Sequence, residues 1–340
     1  MIELKSNGLV FSFPEVHPEA VFRIDFMRTL RIPDDGSTYF LPPGLGTFPL
    51  RHVDDFLDRV PSSWIAHGGV MLPMYQAEAL WLSFNTRFES PYPFLIRIGT
   101  GKINAVTGKP WSDRVGRNPQ DYMVAPKQLW LDGYCVEKGQ IRQFVAMPLG
   151  RGYSVEEQIT GRAEYGGLQI VAHPMKGEAY EAYREAARKG LLISLPDRLE
   201  ESISSFSPSA EMGVAPGGRM KQAVYHDPYR FEDWDLNHRS RCFVHIANSV
   251  AWKAMTGEVP PTEPPTAEQY NRLGLPWFDC YDADMKALDG ATALRDLRSV
   301  ARMSAQKAET VLPDNTSFHT GNVVTLKNGE SNRLVREGIV

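Results

Sequence analysis

The chain reads as an α+β protein with a β-rich antiparallel core, sandwich-like or barrel-like, and helices packed on one side. Three observations carry this expectation. Apolar and polar residues alternate from Val21 to Ile32, with Phe22, Ile24, Phe26, Leu30 and Ile32 on one side and Arg23, Asp25, Thr29 and Arg31 on the other. That period of two is the signature of a half-buried strand. Similar short runs recur through residues 1–175 with turn residues between them, and helical spacing is confined to a few stretches, most of them in the second half.

Taken in order, strands are expected at Leu9–Phe13 and Val21–Ile32, the latter ending in the turn Pro33-Asp34-Asp35-Gly36. The prolines and glycines of Leu41–Gly46 argue against regular structure there. Further strands follow at Gly69–Leu72, Trp81–Phe84 and Phe94–Ile98, and Gly99-Thr100-Gly101 reads as a hairpin turn into Lys102–Val106. Another hairpin is expected from Gln128–Leu131 back along Ile141–Met147, its connection carrying Gly133 and Glu137-Lys138-Gly139. Gly167–Ala172 supplies a short apolar strand stopped by His173-Pro174.

Glu178–Lys189 then has helical spacing and continuous polarity, predicting a solvated helix capped by Gly190. Ser202–Gly218 is rich in serine, proline and glycine and reads as a long loop, with strands resuming at Met220–Tyr225 and Arg241–Ile246. Adjacent prolines hold 259–265 extended. Helices are expected at Thr266–Arg272 and Ala291–Lys307. The resulting organisation is a β-rich core over 1–258 with a helix and loop excursion at 178–218, a helical wrap over 259–310, and a weakly structured tail over 311–340.

Composition narrows the function classes. The 340 residues are 42% hydrophobic and 23% charged, close to the soluble globular average. With 37 Lys and Arg against 41 Asp and Glu, the formal charge of -4 gives no general field for a nucleic-acid partner, and none is expected. The first residues alternate in polarity and do not read as a secretory signal. No apolar run reaches the roughly 20 residues of a membrane helix, so no span is expected. Cys135, Cys242 and Cys280 are widely spaced with no CxxC pair, which favours a reducing cytoplasmic location and buried, inert thiols.

The most ordered stretch is Gln140–Pro174, which reads as strand, glycine turn, capped short helix and strand. Ser154 and Glu157 form a capping box, and Gly161 ends the helix. Leu149-Gly150-Arg151-Gly152 has the look of a phosphate cradle, but Glu156 and Glu157 place negative charge on the same helix end. Function there would come from shape, from Arg151 or from Tyr153. His238, Cys242 and His245 have helical ligand spacing, yet Arg241–Ile246 looks like a strand, which turns Cys242 and His245 to opposite faces. No metal site is therefore expected. His245 and Asn248 make the better polar pair. Asp279, Asp282, Asp284 and Asp289 lack the order of a calcium loop.

No nucleophile, zinc-protease or nucleotide motif is present, and no cofactor is expected. Glu157, His173, Cys242 and His245 are the titratable groups from which a catalytic constellation could be assembled. The blocks Arg31–Phe56, Gly68–Phe84, Arg142–Gly161 and Gly274–Asp284 resemble a family of uncharacterised, mainly bacterial proteins. That resemblance implies a shared fold and no chemistry. The expected function is a soluble binding or assembly module, forming a homo-oligomer or meeting a protein partner through Tyr39, Phe40 and Phe48. The alternative is a small-molecule enzyme, a hydrolase or other acid/base catalyst, with a cleft near Gly150–Gly152.

Overall fold

The computed structural model describes residues 1–86, 91–188, 211–280 and 285–326. The expected cap at Gly190, the loop over 202–210, Tyr281, Asp282, Asp284 and the tail over 327–340 lie outside the described residues.

The first half runs β1 (Ile2–Lys5), β2 (Gly8–Ser12), β3 (Val21–Thr29), β4 (Thr38–Tyr39), β5 (Gly44–Thr47), β6 (Arg51–His52), α1 (Ser62–His67), β7 (Val70–Met74) and β8 (Ala79–Thr86). Next come β9 (Phe94–Thr100), β10 (Ile103–Asn104), β11 (Met123–Ala125), β12 (Trp130–Leu131), β13 (Gly133–Glu137), β14 (Gln140–Pro148), α2 (Val155–Thr160), β15 (Leu168–Pro174) and α3 (Gly177–Arg188). The remainder is β16 (Glu211–Lys221), β17 (Ser240–Asn248), α4 (Ser249–Thr256), α5 (Ala267–Arg272), β18 (Trp277–Cys280), α6 (Thr292–Arg295), α7 (Val300–Lys307) and β19 (Val323–Leu326).

The fold is α+β with a large antiparallel sheet. A continuous antiparallel path runs β1–β2–β3–β8–β14–β16–β17–β15–β9–β11. Parallel pairing enters through β4 on β16, β7 on β17, and the separate pair β18–β19. The path folds back on itself. Phe11, Phe22 and Phe84 from β2, β3 and β8 share one buried cluster with Phe94, Ile96, Ile170 and Val244 from β9, β15 and β17. Phe22 stacks on Phe94 with ring centroids 5.3 Å apart, joining the two ends across the core. Each such side chain contributes about 1.5–3 kcal/mol when fully buried.

Helices cover the outer face. Tyr153, Val300 and Met303 pack on Val145, Met147 and Ala215 of β14 and β16, and Trp64 and Trp252 pack on Met71 and Ala247 of β7 and β17. Covering both faces changes what a strand looks like. Asp25 and Thr29 on the polar side of β3 are buried, so the half-buried strand expected at Val21–Ile32 is enclosed on both sides over much of its length.

Several expected loops are strands with bulges. Residues 211–218, read as loop, belong to β16, where Gly217 and Gly218 fall at a register shift opposite Gln143 and Pro216 pairs with Phe144. Proline and glycine here mark a bulge in a ladder, not its absence. Gly44–Thr47 likewise pairs with β3 across a shift between Met27 and Thr29. The expected hairpin has a different first arm, because β14 pairs with β13 while Trp130–Leu131 pairs with β8. Gly133 therefore lies in a strand, where a Cβ would run into the Arg142 carbonyl.

His173 and Pro174 continue β15 opposite Leu95 and Phe94 instead of stopping it. Helix 291–307 divides into α6 and α7, the second capped by the Ser299 hydroxyl. The solvated helix is anchored: Tyr180 of α3 is buried and donates to Glu19 at 2.6 Å. Of residues 311–326, Asp314 pairs with Arg31 and Val323–Leu326 forms β19. Tyr39 and Phe48, expected as contact residues, are buried at 4% and 0% exposure.

Where the β16 ladder ends, side-chain amides continue it. Gln128 donates from Nε2 to the carbonyls of Trp130 (3.0 Å) and Ala223 (3.2 Å) and accepts from the Tyr225 amide (3.2 Å). Gln120 does the same for Tyr122, Tyr225 and Asp227. Gln222 closes a two-bond ring with Asp132, whose burial pushes its carboxyl up to about 7. A primary amide offers donors and an acceptor like a peptide unit, so it satisfies backbone that has no strand beside it.

The extended 259–265 segment is held by a buried ion pair. Arg28 Nε donates to Glu78 Oε1 at 2.8 Å, and its Nη2 also donates to the Thr262 carbonyl at 2.7 Å. Tyr75 donates to the Pro261 carbonyl at 2.9 Å. Glu78→Ala leaves the guanidinium buried without its counter-charge, and a loss of about 3–5 kcal/mol is expected in urea unfolding. The double variant Arg28→Met/Glu78→Leu should lose less. A double variant as unstable as Glu78→Ala would show that the cost lies in packing instead of uncompensated charge.

Candidate functional site

The glycine turn before α2 already holds an anion, and it is the protein's own. Glu157 Oε1 accepts from the Gly152 amide at 2.6 Å, and Oε2 accepts from the Ser154 amide and hydroxyl at 3.1 and 2.7 Å. The reciprocal bond from the Glu157 amide to Ser154 Oγ completes the capping box, and Gly161 ends α2 in the left-handed conformation. Arg151 pairs with Glu309, Tyr153 donates to the same carboxylate at 2.8 Å, and Lys307 donates to the Arg151 carbonyl. The C-terminal end of α7 thus lies over the turn where a cleft was expected. In the sequence, neighbouring Glu156 figures only as negative charge on the helix end. It is 2% exposed, accepts from the Tyr165 and Gly166 amides, and fills the space that a side chain at Gly101 would need.

His173, Cys242 and His245 do come to one part of the sheet, the unit β9–β15–β17. Register separates them. Ile170 pairs with Cys242 and both face the core, so the thiol is pushed up to about 12 by burial. His173 and His245 share the opposite, outer face. Six residues of strand separate the rows they occupy, roughly 20 Å at 3.3 Å per residue.

His245 stacks on Trp64 at 4.7 Å, and its Nε2 lies 3.0 Å from the Gly68 carbonyl. Asn248 instead caps α4, its Oδ1 accepting from the Val250 and Ala251 amides at 2.8 and 3.3 Å. His238 is engaged with Asp235 at 2.8 Å. Among the described residues no three His, Cys, Asp or Glu side chains converge as metal ligands.

The outer face of the same three strands carries a different constellation. Val171 pairs with Arg97 on one side and Arg241 on the other, and Gln169 pairs with Gly99 and Phe243. Arg97, only 2% exposed, donates from Nη2 to Asp121 at 2.6 Å and lies 4.5 Å from the ring centre of half-buried Trp111. Arg241 approaches the same indole at 6.0 Å, and Arg239 and Arg241 share the exposed carboxylate of Asp113. Farther along, His67 packs on Phe243 at 4.8 Å and on Tyr165 at 5.2 Å, and Lys102 sits 4.0 Å over the Tyr165 ring. Half-buried aromatic rings therefore alternate with cations along one sheet face.

Among the described residues, three polar atoms in this face have no hydrogen-bond partner. His173 is 2% exposed, and its Nδ1 lies 3.2 Å from the His238 carbonyl, whereas its Nε2 is buried and unpaired. Arg97 Nε and the Trp111 indole Nε1 are buried and unpaired as well. Each such atom costs about 1–3 kcal/mol, and buried polar groups are paired in the great majority of cases. A second unpaired set, Asn248 Nδ2 and Trp252 Nε1, lies where α4 meets β17. Elsewhere, Lys127, Trp130, Gln222, Tyr225 and Cys280 line a recess of about 30 Å³, room for one or two waters.

Sequence reasoning found His173 but not Arg97, Trp111, Arg241 or Phe243. The available signal was Arg97 itself, a lone charge inside the apolar run Phe94–Thr100. Comparison of the chain with protein-family models, curated proteins and solved structures gives no match.

Burial holds both His173 and His245 down to about 4, partly offset by the His238 and Asp235 carbonyls for His173 and by the Gly68 carbonyl for His245. Their neutral rings stabilise the fold above the free-imidazole value of 6.5, and that contribution is lost as pH falls toward 4. In a histidine NMR titration both rings should stay unchanged from pH 8 to about 5, with stability declining between about 6.5 and 4. Either ring titrating near 6.5 would contradict this arrangement.

Proposed function

We propose that the protein is a binding module whose ligand surface is the outer face of β9, β15 and β17. The observation that carries this reading is the pair of buried, unpaired atoms, Arg97 Nε and His173 Nε2, with the half-buried ring of Trp111 lying over Arg97. A few fixed polar groups flanked by aromatic side chains are what small-molecule recognition requires. The catalytic alternative has weaker support. Cys242 is a buried thiol facing the core, Glu157 is consumed by helix capping, and the two neutral histidines occupy distant rows. Assembly through Tyr39 and Phe48 is not part of the proposal, because both are buried.

Native mass spectrometry of protein incubated with clarified cell extract tests the reading. The unsubstituted chain should carry a small-molecule adduct, and Trp111→Ala should reduce its occupancy by about tenfold, the cost of one aromatic contact near 1.4 kcal/mol. No adduct, or one of equal occupancy in both proteins, would overturn the proposal.

A further inference from the structure

Resting on that reading, we infer that Arg97 Nε and His173 Nε2 form a subsite for a hydroxyl group of a neutral polyhydroxylated molecule, a sugar or polyol. The register fixes their relation. Arg97 pairs with Val171, and His173 lies two residues farther along the same face of β15, making the two residues diagonal neighbours across the ladder. Such positions are about 7–8 Å apart at the backbone, a span that long side chains bridge. Both side chains are 2% exposed, so neither unpaired atom finds compensation in bulk water.

The chemistry of the two atoms selects what fits between them. A guanidinium nitrogen can only donate. The His238 carbonyl can only accept, so the proton of the neutral His173 ring belongs on Nδ1, and Nε2 presents a lone pair. The missing group must accept from Arg97 and donate to His173. A hydroxyl does both. A carboxylate accepts without donating, and an ammonium donates without accepting.

Charge points the same way. Asp121 already balances Arg97 at 2.6 Å, and Asp113 is shared by Arg239 and Arg241 at the rim. An anion placed against Arg97 would meet the Asp121 carboxylate as well, in a site where burial outweighs Arg97 and raises the Asp121 carboxyl above its usual range. Gln169 does not compete for the ligand, since its Nε2 donates to the Gly101 carbonyl at 3.0 Å. Trp111, half-buried over Arg97, supplies an apolar flank beside which a sugar ring could enter.

Saturation-transfer NMR on the full chain, with glucose, myo-inositol, acetate and inorganic phosphate as separate probes, tests the assignment. Glucose or myo-inositol should receive saturation, and His173→Phe should weaken that binding about tenfold or more. Trp111→Ala, at a half-buried position, should do likewise and guards against a folding defect in the buried variant. Transfer to acetate or phosphate alone, abolished by Trp111→Ala, would overturn the hydroxyl assignment while leaving the binding surface standing. No transfer to any probe, together with no adduct in native mass spectrometry, would overturn both. A crystal structure grown with glucose that shows only a lone water between Arg97 Nε and His173 Nε2 would also overturn the subsite.

Discussion

Enclosure of the antiparallel sheet on both faces is the constraint on which the rest of this structure depends. A sheet wet on one side leaves its outer polar residues to water, but here helices and loops cover much of that side. Every polar side chain pointing outward must then find a partner within the protein. Gln169 finds the Gly101 carbonyl, and Glu156 of α2 finds the amides of Tyr165 and Gly166. The same pressure explains why Gln120, Gln128 and Gln222 stand in for backbone where the β16 ladder ends.

That constraint also decides what could be read from the sequence. Alternation located β3, and short apolar runs located β2, β8, β9 and β17. The α2 capping box was legible to the atom, since its partners are three residues apart. Pairing was less accessible. Nothing local distinguishes a Pro-Gly-Gly loop from the bulge at Pro216–Gly218, because that difference depends on Gln143 lying opposite. Likewise, the true partner of β14 depends on the close approach of Gly133 to the Arg142 carbonyl.

The candidate site was half visible for a related reason. His173, Cys242 and His245 are titratable and stand out in sequence, but only register shows that Cys242 faces the core while the histidines occupy separate rows outside. Arg97, Trp111 and Arg241 come from three separated segments, and no spacing rule connects them. Two tempting anion positions in this molecule are filled by its own carboxylates, Glu157 at the Gly152 turn and Asp113 between Arg239 and Arg241. Arg97 Nε and His173 Nε2 differ in remaining unfilled, which is why function is proposed for them.

The central claim is that His173 offers a bare acceptor beside the unpaired Arg97 donor. The ¹⁵N spectrum of histidine-labelled protein at neutral pH measures this most directly, because it identifies which ring nitrogen carries the proton. The account predicts a neutral His173 protonated on Nδ1, with Nε2 an acceptor. A proton on Nε2, or a fully protonated ring, would contradict it.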